Sequence, residues 1–120
     1  MTAAVRAALD TLAEIPRGWI DGQHGETPTA AVIVRGRAVI DAMDLLGNVT
    51  DTVFPTEDGG VRFYWPDTDD ELTVDVEPSG ALYVHTVDVE AATFRDSTIP
   101  ADVTDLRAAL APWLQAVSHG

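Results

Sequence analysis

Apolar positions near the start of the chain fall at Val5, Leu9 and Leu12. Spacings of four and three make one stripe on a helix over 3–14. Thr2 is placed to cap that helix, and Pro16 and Gly18 end it. Residues 16–28 hold three Gly and two Pro and read as a loop. Trp19 and Ile20, two large apolar side chains, are expected to pin it to the core. Thr27 followed by Pro28 is a helix start, and Gly47-Asn48 is a stop. The helix so bounded, 28–46, carries Val32, Val39, Met43 and Leu46 on one stripe. A β-hairpin turning at Arg35-Gly36 competes, because β-branched residues fill both arms. The caps and the helical pattern of 41–46 favour the helix.

From Val49 the period changes to two. Asp58-Gly59 reads as a two-residue type I′ hairpin turn, which sets Phe54 opposite Phe63 and Val53 opposite Tyr64. Val61, Phe63 and Trp65 then share one face. After a loop at 66–70, strand 71–77 alternates, with Leu72, Val74 and Val76 inward. Pro78-Ser79-Gly80 turns the chain into strand 81–89, with Leu82 and Val84 inward. Val87, Val89 and Phe94 break the alternation, which predicts a bulge or a change of face near Thr86. A last helix begins near Asp102, with Val103, Leu106, Leu110, Trp113 or Leu114, and Val117 on its stripe. Pro112 predicts a kink or a fresh helix start, and residues 118–120 a frayed end. The predicted class is α+β: two N-terminal helices, a four-stranded antiparallel meander and a C-terminal helix, in one domain. The helices are expected to cover one sheet face and leave the other open.

Composition narrows the partners. The chain has 120 residues, 20 acids and seven bases, all Arg, for a net charge of −13. Residues 51–105 hold fourteen acids against Arg62 and Arg95, so −12 of that charge falls on the sheet half. Scattered Arg in such a chain argue against direct nucleic-acid binding and against docking on an anionic membrane. There is no Cys, hence no disulfide or thiolate chemistry. The first ten residues lack the apolar stretch of a signal peptide, and a cytoplasmic location is the expectation.

Chemical motifs are sparse. Asp67 to Glu71 looks like a calcium loop, but positions six and twelve are Leu72 and Pro78 where Gly and Glu are needed. Asp21-x-x-His24 supplies two ligands where zinc needs three or four. Ser79, Ser97 and Ser118 sit in no nucleophile elbow, and there is no Lys for a phosphate loop. No cofactor or metal is expected.

Gly18-Trp19-Ile20-Asp21-Gly22, Thr27-Pro28, Asp58-Gly59-Gly60-Val61 through Trp65, and Glu71-Leu72-Thr73-Val74 follow one another in this order. In that order the chain resembles a group of small uncharacterised bacterial proteins. Those proteins carry a Gly-Trp-Asp-Gly-like loop, a Pro-started helix and an Asp-Gly-Gly-Val-x-x-x-Trp strand. The resemblance implies a helix at 28–46 and no particular activity.

The function expected from these residues is a non-enzymatic acidic module that docks a basic protein, as antitoxins, nuclease immunity proteins and inhibitors do. Its contact residues are expected to be Asp67, Asp69, Asp70, Glu71, Asp75 and Glu77, with Arg62, Tyr64 and Tyr83 as anchors. The register sets Arg62 opposite Asp75 and Asp75 opposite Tyr83 on the open face. A self-associating protein, with the open face forming a homodimer, is the alternative. A small hydrolase using paired carboxylates is a third.

Overall fold

A computed structural model describes residues 3–48, 50, 52–65, 70–88 and 90–117. The expectations placed on Thr2, Val49, the 66–69 stretch with Asp67 and Asp69, Val89 and residues 118–120 lie outside them. The element order is α1 (Ala3–Leu12), α2 (Ala30–Leu45), β1 (Val53–Pro55), β2 (Val61–Trp65), β3 (Asp70–Val76), β4 (Leu82–Asp88), β5 (Thr93–Ile99) and α3 (Leu106–Val117). The fold is α+β, and the sheet is antiparallel in the order β1-β2-β3-β4-β5.

The helical reading of the second segment holds, and its start moves. Thr29 is the cap, its hydroxyl accepting from the Val32 N–H at 3.3 Å. Thr27 instead donates its hydroxyl to the Ile15 carbonyl at 2.7 Å, tying the loop to the segment that follows α1. At the other end Gly47 takes φ +78°, and Asn48 N–H reaches Met43 O while Gly47 N–H reaches Asp44 O. This pair of bonds satisfies carbonyls that the last helical turn leaves open. Asp105 caps α3 through the Ala108 N–H at 3.1 Å, so that helix starts three residues later than Asp102. It runs as one element through Pro112, without restarting there.

Two expectations about the sheet are corrected. The first hairpin pairs Val53 with Phe63 and Phe54 with Arg62, one residue away from the predicted register. Thr56 and Gly60 close the turn (N–H to O, 3.0 Å), and Gly59 sits inside it at φ +94°. The loop is therefore three residues with a left-handed Gly, not two. Asp58 decides this: its Oδ1 accepts from the Thr56 hydroxyl and the Gly60 N–H. Second, there is a fifth strand. The β4–β5 register runs unbroken from Leu82↔Ile99 to Asp88↔Thr93, and no bulge interrupts it near Thr86. Thr86 keeps the inward alternation and is buried; Phe94 belongs to β5.

The core forms between the helices and one sheet face. Val61, Phe63, Trp65, Leu72, Val74, Val76, Leu82 and Val84 meet Val5 and Leu9 of α1, Val32, Val39 and Met43 of α2, and Leu106 and Leu110 of α3. Gly36 lets α2 approach; a Cβ there would stand 3.0 Å from Leu9 Cδ2 and 3.5 Å from Phe63. No described helix is long and apolar enough to cross a membrane.

Candidate functional site

The outward positions of β2, β3 and β4 form the floor of an open groove. Arg62 faces Asp75, and Asp75 faces Tyr83, as the alternation implies. Arg62 Nε and Nη2 donate to the two Asp75 carboxylate oxygens at 2.6 and 2.8 Å. This two-point contact raises the Arg62 pKa above its ordinary value, and the Asp58 charge adds to it. Tyr83 donates its hydroxyl to Asp96 at 2.6 Å, which raises its pKa above 10.0 because a carboxylate beside the phenol disfavours phenolate.

One wall of the groove is a loop folded on itself. Gly18 N–H bonds Gly25 O at 2.7 Å, and Ile20 N–H bonds His24 O at 3.1 Å. Trp19 donates its indole N–H to Glu26 O across this ring. Gly25, at φ +101°, is needed because a Cβ would sit 2.6 Å from the indole nitrogen. The loop is thus closed by Trp19 over its own backbone. Ile20, 48% exposed, does not pin it to the core as expected. Asp21 accepts from the Gln23 and His24 N–H groups and contacts His24 Nδ1 at 2.6 Å. The His24 contact first, and then the two amides, hold the Asp21 carboxyl below its ordinary 3.8. The loop joins the hairpin turn through Glu26 N–H to Glu57 O, 2.9 Å.

Loop, turn and sheet enclose about 600 Å³, lined by Gln23 to Glu26, Thr56 to Asp58, Arg62, Asp75 to Glu77 and Tyr83. A second hollow of about 430 Å³, lined by Phe54, Tyr64, Thr73 and His85, shares Arg62, Asp75 and Tyr83 with the first. Together they make one continuous open face. Beyond Tyr83 its rings continue: His85 stacks on Tyr83 at 6.3 Å between centroids, and Phe94 follows at 5.9 Å.

The structure brings together Arg62, Tyr64, Asp75, Glu77 and Tyr83 of the expected residues. Glu71 lies on the same face, opposite Val87, and lines neither hollow. Asp70 opens β3 opposite Asp88. Glu26, Glu57 and Asp58 supply the groove's other carboxylates, and Asp96 and Phe94 extend the face across β5. Spacing could not reveal them, because residues 26 and 57 meet only in the folded chain. Among the described residues, no group of three His, Cys, Asp or Glu could hold a metal ion.

The charge on the two sides of the molecule is balanced differently. On the helices, Arg6 pairs with Asp41 and Arg37 with Asp10, at 2.6 Å for the second. At the groove, Glu26, Glu57, Asp58, Asp75 and Glu77 share the lining with one Arg, Arg62, which Asp75 engages with both oxygens, while Arg17 reaches Glu26 at 3.4 Å. No protein-family model, curated protein or solved structure matches the chain.

Proposed function

We propose that this protein is a non-enzymatic binding module whose acidic open sheet face docks a basic protein, in the manner of an antitoxin, immunity protein or inhibitor. The observation that carries the reading is the unequal balance of charge. On the helices Asp10 and Asp41 have Arg partners; of the five carboxylates lining the groove, Glu26 meets Arg17 at 3.4 Å and Asp75 takes Arg62, and among the described residues no ion pair engages Glu57, Asp58 or Glu77. Such a surface speeds the encounter with a cationic partner and rejects anionic ones. Arg62–Asp75 and Tyr83–Asp96 hold the floor rigid, so little ordering is left for binding to impose.

Self-association is the second reading, favoured by Phe94, 68% exposed on the edge strand. Face-to-face pairing of two copies would set like charges against each other, which disfavours it. The test is an NMR titration of the isotope-labelled protein with a short cationic peptide. Docking at the groove moves the amides of Glu57, Asp58, Arg62, Asp75 and Glu77 first. Equal shifts around Asp10 and Asp41 on the helices would overturn it.

A further inference from the structure

We infer that the cationic group this face accepts is a guanidinium: the partner docks through arginine side chains that lie flat on the Tyr83–His85–Phe94 row of rings. The inference rests on the reading of the face as a docking surface for a basic protein, and it names the chemistry of that partner. The three rings follow one another at 6.3 and 5.9 Å, tilted by 19° and 37°, and form a nearly continuous aromatic strip. Phe94 at its end is 68% exposed, far more than an aromatic ring on a closed surface. Carboxylates flank the strip. The register sets Asp75 across from Tyr83 and Asp96 across from His85.

A ring bordered by a carboxylate suits one cation better than the other. A guanidinium is planar and weakly hydrated, so it can stack on a ring and donate in its plane to a carboxylate at once. An ammonium is a compact, strongly hydrated charge and cannot stack. The chain makes the same contact internally: the Arg95 guanidinium carbon lies 4.9 Å from the centre of the Trp113 ring. A second copy of this chain is a poor occupant, because it brings −13 of the same sign.

The experiment is titration calorimetry of the whole protein with hexa-arginine and with hexa-lysine peptides at low salt. Hexa-arginine is expected to bind about fivefold tighter, from stacking at one or two rings. The variant H85S/F94S removes two of the rings and no charge from a carboxylate. It is expected to bring hexa-arginine down to the affinity of hexa-lysine and to leave hexa-lysine within about twofold of wild type. Phe94→Ser alone, at an exposed position, gives part of the same loss if the double variant does not fold. Equal affinities in the wild type, a preference that survives in H85S/F94S, or equal weakening of both peptides would each overturn the guanidinium assignment while leaving the docking face intact. Failure of both peptides to bind would overturn the docking face as well.

Discussion

Replacing Arg62 and Asp75 by Ala, singly and together, asks whether the floor of the groove is held by their contact. The pair is bidentate at 2.6 and 2.8 Å. Exposed ion pairs contribute about 0.2–1 kcal/mol, and breaking a buried one costs about 3–5. The Arg62 side chain is 43% exposed and Asp75 16%, so solvent screens the pair from one side. A coupling energy of about 1 kcal/mol follows, near the top of the exposed range. The single variants should be unequal. Arg62→Ala strands the more buried carboxylate among Asp58, Glu57 and Glu77, and costs about 2 kcal/mol. Asp75→Ala leaves an arginine that can turn toward water, and costs about 1 kcal/mol. Urea unfolding followed by circular dichroism measures all four species, and 1 M salt should shrink the coupling to less than about half. A coupling below about 0.2 kcal/mol, or a costlier Asp75→Ala, would refute the reasoning.

Two further outcomes follow from local geometry. Gly60→Ala should destabilise by about 3 kcal/mol, because strain of this kind must move backbone: the new Cβ would stand 2.4 Å from the Val76 carbonyl oxygen. A loss under about 0.5 kcal/mol in urea unfolding would mean that β2 and β3 part easily there. The Asp21 carboxyl, held down by His24 and two amides, should titrate below 3.8 by carbon NMR. Because its folded pKa is depressed, its contribution to loop order is present above 3.8 and lost as pH falls through the folded value. A midpoint at or above 3.8 would contradict those bonds.

The floor of the site was legible because burial on one face fixes the parity of every strand. Once Val61, Phe63, Leu72, Val74, Leu82 and Val84 point inward, Arg62, Asp75 and Tyr83 must point outward and meet. The first hairpin was misread by one residue because Asp-Gly-Gly serves a two-residue or a three-residue turn equally well. The Asp58 side chain, bonding back to Thr56 and Gly60, selects the longer one. β5 left no alternating trace. Its inward side carries Thr93, Arg95 and Ser97 at an edge where all three stay exposed, and Arg95 lies over Trp113. Its one large apolar side chain before Ile99, Phe94, faces outward. The groove wall was invisible for another reason: Trp19 looked like a core anchor, and it closes the 18–26 loop instead. Among the described residues, the carboxylates that line the groove are Glu26, Glu57, Asp58, Asp75 and Glu77, and three of these come from the loop and the turn, where no alternation marks them.

The central claim is that the acidic groove docks a basic protein. Its most direct test is capture from the host's own lysate, by the wild-type chain and by the charge-reversed variant E57K/D58K/E77K side by side, at low and high salt. Docking at the groove predicts one dominant basic protein on the wild type at low salt, lost at high salt and absent from the variant. A blank, copies of the chain itself, or a partner retained equally by the variant would contradict it.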